Sequence, residues 1–261
     1  MQLQILLAVY VTLLGLIVGS YLNVVIHRVP LGLSTVRPRS RCPVCGTMIG
    51  ARDNVPVLSW VFLRGRCRSC GTPISWRYPL IEAAAGGLFL ACLLRFGFTL
   101  HALTAAVFAA LMLALAMIDY DHMLLPDRIT WPGIAVGLAA QLWGPLVGLG
   151  SALVGVALGA GILLAVWCLW WLVRREEGMG LGDVKMLALV GAFLGWTGVL
   201  VTLFFATLTG SIVGISLMRA GGPEGGMTMR SKLPFGVFLA IAGVIALFFG
   251  DALVWWYAGL L

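Results

Sequence analysis

Leu111-Met112-Leu113-Ala114-Leu115-Ala116-Met117-Ile118-Asp119-Tyr120 carries an apolar run into an aspartate, and Gly180-Leu181-Gly182-Asp183-Val184-Lys185 opens another run with a second one. Aspartate is among the costliest side chains to bring near hydrocarbon. Two of them at the ends of apolar runs therefore point to a membrane protein with a proton-handling pair at the edge of its apolar layer.

The rest of the chain agrees. Its 261 residues are 61% hydrophobic and 10% charged, far from the balance of a soluble domain. Apolar runs recur from residue 3 to residue 258, so the first is not a cleavable signal peptide standing alone. The net charge of +7 does not indicate nucleic acid, because of where the basic residues fall. Nine of the seventeen Lys and Arg lie between Arg28 and Arg77. Arg95, Arg128, Arg174, Arg175, Lys185, Arg219, Arg230 and Lys232 lie in or beside short breaks between apolar runs. That is the pattern of cytoplasmic loops under the positive-inside rule.

Spans of about 20 residues predict an all-α polytopic protein of about eight transmembrane helices, with a cytoplasmic loop between the first and second. The first covers residues 3–26, and two more cover 80–95 and 100–118. A fourth and fifth, 131–147 and 150–173, meet at the Gly144-Pro145 turn signal. Residues 186–218 are too long for one span and short for two. Lys185 and Arg219 should share a side, which predicts two short helices with a turn near residues 195–198. An eighth helix covers 234–256. With the N-terminus outside, every basic residue except Arg95 falls in the cytoplasm, and so do Asp119 and Asp183. The expected organisation is a first helix (1–27), a four-cysteine cytoplasmic loop (28–79) and a seven-helix membrane core (80–261).

Within that loop, Cys42-Pro43-Val44-Cys45-Gly46 and Cys67-Arg68-Ser69-Cys70-Gly71 make two C-x2-C pairs separated by twenty-one residues. Four thiolates so paired suit a tetrahedral, structural Zn2+. Two disulfides are the rival reading, which a reducing cytoplasm disfavours. Cys92 and Cys168 read as small buried hydrophobes. His27, His101 and His122 are too scattered to suggest a metal site.

Hydrolysing a peptide bond without a metal or a nucleophilic Ser or Cys takes one group to activate water and another to protonate. Two carboxylates sharing a proton do both. Asp119 and Asp183 are the candidates for such catalytic residues. Asp121 would face away from Asp119 on a continuing helix, and Asp127 after Pro126 reads as a helix N-cap. Glu82 would either support helix packing or face the site. Glu176 and Glu177 read as a solvated charge run, and Asp251 as interfacial. The plain alternative is that each Asp caps a helix or pairs with a nearby Lys or Arg.

The ordered motifs resemble the bacterial type IV prepilin peptidases. The resemblance begins at Gly19-Ser20-Tyr21-Leu22-Asn23 and runs through both Cys pairs, with Asn54-Val55-Pro56-Val57-Leu58-Ser59-Trp60 between them. It continues through Arg77-Tyr78-Pro79-Leu80-Ile81-Glu82, Ile118-Asp119-Tyr120-Asp121-His122, Leu125-Pro126-Asp127, the G-x-G-D at Gly180 to Asp183, and Leu233-Pro234-Phe235-Gly236. Val237 stands where the family often has Pro. The resemblance implies an aspartic peptidase with Asp119 and Asp183 catalytic, cutting a basic leader from type IV prepilins and type II secretion pseudopilins after a Gly at the cytoplasmic membrane face. It also implies N-methylation of the new N-terminal residue with S-adenosylmethionine as donor, in the bacterial inner membrane. Phe235 and the glycines near Asp183 are candidates to line the substrate groove. Rival readings are a presenilin-like protease that cuts within helices, which would want its aspartates deeper, and a proton-coupled transporter, which would show internal repeats. A third is a non-catalytic membrane scaffold with a docking zinc module.

Overall fold

The computed structural model describes residues 2–175, 180–220 and 233–259. Glu176, Glu177, Arg230 and Lys232 lie outside them. Among the described residues the structure is helical, and its β content is two isolated bridges, Arg41 to Met48 and Arg66 to Pro73. The helices are α1 (Gln2–Arg28), the short α2 (Leu58–Phe62), α3 (Arg77–Phe96), α4 (Leu100–His122), α5 (Asp127–Ala140), α6 (Leu149–Arg174), α7 (Leu181–Ala220) and α8 (Phe235–Ala258). Six of these, all but α2 and α5, are long and apolar enough to cross a membrane. The chain divides into two compact units, Met1–Ala114 and Leu115–Leu261.

In the first unit α1 packs on α3. A Cβ added to Gly19 would lie 2.7 Å from the Glu82 Cα, so the two backbones nearly touch. Lipid tails are as apolar as the helices, so close packing of small residues has to hold such a pair together. Glu82 is buried at this seam, and its Oε2 accepts the Val57 N–H at 2.7 Å. Of the two readings for Glu82, this contact supports the structural one: it ties the start of α2 to the head of α3.

The second unit is organised by α7. A 40-residue helix would be about 60 Å long, twice the bilayer's apolar thickness of about 30 Å. The helix is broken at Gly195, whose φ of 66° and ψ of −171° are not helical. Before the break, Leu187, Gly191 and Gly195 meet Gly159, Gly155 and Ser151 in reverse order, so α6 and the first part of α7 are antiparallel. A Cβ on Gly191 would sit 2.3 Å from the Gly155 backbone, which leaves room for no other residue. After the break, Leu203 and Thr207 share a cavity with Ile162 and Val166 of α6. A straight continuation would instead carry Thr207 about 18 Å beyond Gly195 and past the start of α6. The chain therefore doubles back at Gly195, and the turn expected near 195–198 takes a single residue.

A helix broken inside an apolar layer leaves carbonyls without partners, and each costs free energy there. Gln141 supplies them. It is 5% exposed, and its Nε2 donates to the carbonyls of Ala192 at 3.0 Å and Phe193 at 3.2 Å. Its Oε1 accepts the N–H groups of Val147 and Gly148. This role explains why α5 stops at Ala140, seven residues before the expected end. Gln141 caps α5 with its backbone, and its side chain serves the neighbouring break.

Candidate active site

Met112, Leu115 and Asp119 recur along one stripe of α4, the first two fully buried and Asp119 5% exposed. Tyr120 and Asp121 are exposed, as the helical spacing requires. Asp119 therefore reaches the end of the helix on its packed side, where the first turn of α8 meets it.

That turn begins after Pro234, which occupies the N-cap. The first N–H groups of a helix have no partner within it. One of them, on Val237, donates to Asp119 Oδ2 at 3.2 Å. Gly236 permits the approach: a Cβ there would lie 2.8 Å from Oδ2 and 3.0 Å from the carboxylate carbon. The positive end of the helix dipole favours a negative charge at this spot.

Asp183 stands in the first turn of α7 and is 9% exposed. Its neighbour Gly182 lies against Leu125, whose Cβ would be 3.0 Å from a Cβ added at 182. The Leu-Pro-Asp turn after α4 and the Gly-Leu-Gly-Asp start of α7 are thus packed together, and Asp119 acts electrostatically on Asp183. Asp127 forms an ion pair with Lys185. It opens α5 at its first helical position while Pro126 holds the N-cap, so Asp127 is a partner for a lysine where the sequence suggested a cap. Two nearly buried carboxylates thus lie at helix starts in one unit, Asp183 in the first turn of α7 and the Asp119 carboxylate at the first turn of α8.

The four-cysteine loop folds as two similar knuckles. In each, the first Cys N–H bonds the carbonyl five residues on (Thr47, Thr72), and the Gly after the second Cys bonds back to the first Cys carbonyl. Gly46 and Gly71 adopt φ of 69° and 72°, conformations that side chains disfavour. The sulfurs of Cys42, Cys45, Cys67 and Cys70 all lie within 4.8 Å of one another. The Cys42 and Cys70 sulfurs are 3.8 Å apart, with no disulfide between them. A tetrahedral ion with sulfur at about 2.3 Å separates its ligands by about 3.8 Å, so the set fits a metal ion. The Thr72 hydroxyl and amide hold the Cys70 thiol down at about 6, and Thr47 lowers Cys45 in the same way. Arg68 and Asp53 brace the module with a bidentate pair at 2.7 to 3.0 Å. His27, His101 and His122 join no such cluster among the described residues. Cys92 is buried as expected, whereas Cys168 is exposed on α6, because lipid can cover what a soluble protein would bury.

Residues 13–96 match the bacterial peptidase A24 N-terminal domain, and residues 106–215 match the type IV leader peptidase family. A prepilin leader peptidase/N-methyltransferase of Myxococcus xanthus (strain DK1622) is 47% identical over 87% of this chain and 68% of its own. Proteins of the same name from Aeromonas hydrophila and Pseudomonas putida are 39% and 40% identical, over 95% and 92% of this chain and 92% and 90% of theirs. The chain belongs to the type IV leader peptidase family. No solved structure matches it.

As a leader peptidase family member it carries both motif aspartates within the second matched region, 106–215. Gly236 and Val237 lie beyond that region and were not singled out by the sequence for any contact with Asp119. The signal was present in Pro234 followed by an apolar run, a helix-start signature. What it could not reveal is which carboxylate the helix start receives. Gln141, a lone amide between two apolar runs, carried no signal at all.

Proposed function

We propose that this protein is a membrane-embedded aspartic peptidase that removes the leader from type IV prepilins and type II secretion pseudopilins and then N-methylates the new N-terminus. The observation that carries the first activity is the pair Asp119 and Asp183, 5% and 9% exposed, gathered at the starts of α8 and α7. The names of the relatives support both activities. The transporter and intramembrane-cutting readings gain no support from them.

In the cleavage step one carboxylate takes a proton from water as its oxygen bonds the carbonyl carbon of the scissile peptide. The protonated partner gives its proton to the departing amine as the C–N bond breaks, and the pair is left ready to exchange its remaining proton. The two titrate as a unit, so base and acid are roles of the pair. Confining enzyme and substrate to one bilayer supplies much of the positioning that a soluble protease obtains from a cleft.

The topology we propose has eight crossings: the six long helices, one more from the reversal at Gly195, and α5. The N-terminus lies in the periplasm and both aspartates on the cytoplasmic side of the inner membrane, in accord with the basic loops. The loop 28–79 is stapled by Zn2+ on Cys42, Cys45, Cys67 and Cys70, and four protein sulfurs leave the ion no open position for catalysis. The relatives' names imply a methyl donor, and S-adenosylmethionine is the donor of this proposal. The cavities beside Phe235 have apolar and hydroxyl walls with no charged group to pair its amino and carboxylate ends, so they do not fit it.

The test is cleavage of a prepilin by the purified protein, with the product N-terminus read by mass spectrometry. Wild type cuts after the leader Gly, and folded Asp119→Asn and Asp183→Asn each lose roughly 10²- to 10⁴-fold, the range of general acid–base catalysis. Cleavage that survives either substitution excludes the pair.

A further inference from the structure

Two openings in the second unit meet at α8. One, of about 490 Å3, is walled by α6 and the returning part of α7, with Leu203, Phe204 and Thr207 among its residues. The other, of about 240 Å3, lies between Thr207, Gly210 and Ser211 of α7 and Leu233, Phe235 and Phe238 at the start of α8. Thr207 and Phe235 wall both, so the two form one groove. Phe235 is the first residue of α8, and the next two, Gly236 and Val237, hold the Asp119 carboxylate. The groove therefore shares Phe235 with the stretch of chain that seats Asp119.

Its walls are mainly apolar, and the hydroxyl of Thr207 is already spent on the carbonyls of Leu203 and Phe204. Apart from the Ser211 hydroxyl, it offers a ligand shape and apolar surface. We propose that this groove receives the apolar membrane helix of the substrate immediately after the scissile bond, with Phe235 and Thr207 at the cleavage end. The proposal rests on the peptidase reading above. A substrate anchored by an apolar helix must lay that helix against the enzyme and bring its first residue to the carboxylates. This groove is walled by Phe235, the residue that precedes the turn seating Asp119. A lipid acyl chain is the competing occupant.

The experiment uses full-length Asp119→Asn protein in proteoliposomes, which binds but does not turn over, with a photo-crosslinking phenylalanine analogue at position 207 and, as control, at the exposed Leu3 of α1. Irradiation with a full-length prepilin is expected to give an adduct from position 207, mapped to the first two turns of the substrate's apolar segment, and none from position 3. Adducts with lipid alone at position 207, or equal yields at both positions, overturn the proposal. In parallel, Leu203→Trp and Thr207→Trp in the active enzyme are expected to lower kcat/KM for the full prepilin at least tenfold, mainly through KM. Equal kcat/KM for wild type and both tryptophan variants likewise overturns it. Failure of wild type to cleave any prepilin sinks the peptidase reading itself. Cleavage abolished by Asp119→Asn and Asp183→Asn, with no adduct at 207, sinks only the groove.

Discussion

Gly236 lacks a side chain, and the Asp119 carboxylate occupies the space one would take. Gly236→Ala would put a methyl group 2.8 Å from Oδ2, and the group that must yield is the carboxylate. A displacement near 1 Å at a reacting group costs about 10²-fold in rate. Gly236→Ala is therefore expected to lower kcat by about that factor while the protein remains folded by circular dichroism and thermal unfolding. Unchanged kcat would mean that Asp119 need not be seated on α8. Val237 contributes only its N–H, so Val237→Ala should be nearly silent in the same assay.

Among the elements, α7 depends on a residue from outside itself. Its break at Gly195 lets one apolar stretch pass along α6 and return, and Gln141 answers the carbonyls of Ala192 and Phe193 near the end of its first part. Gln141→Leu keeps the volume and removes those donors. Leaving buried carbonyls unpaired costs about 1–3 kcal/mol each, so this variant should unfold at a clearly lower temperature in detergent. An unchanged midpoint would show that the carbonyls find other partners. The contact of Gly155 with Gly191 predicts a sharper effect: Gly155→Val has no space to enter and should separate α6 from α7, seen as loss of folded protein on size exclusion.

For the molecule as a whole, the loop 28–79 has few large buried residues, and Cys42 is the buried hydrophobic position within it. Small segments of this kind need a staple. Metal analysis should find one Zn2+ per chain, and a strong chelator should make the loop the first site of proteolysis. Acid should do the same. Folded Cys70 sits at about 6, below the ordinary thiol value of 9.0, so the thiolate's contribution is complete above about pH 9 and is lost as pH falls through about 6. Metal release measured against pH should rise through that lower region. A chain that keeps its loop protease-resistant after complete metal removal would show that the staple is dispensable.

The sequence by itself determined that the chain is a helical membrane protein, where most helices begin and end, which four cysteines converge and which two aspartates are the candidates for the proposed site. These follow from hydrophobic length, charge placement and ligand spacing, all local in the chain. The turn at Gly195 was legible because 33 residues between Lys185 and Arg219 fit neither one span nor two comfortable ones. Only the tertiary structure decided that α8 offers its first turn to Asp119, that Gln141 serves carbonyls fifty residues away, and that Asp127 pairs with Lys185. Those contacts join residues distant in the chain, and their partners are chosen by how helices pack, which no single stretch of sequence encodes.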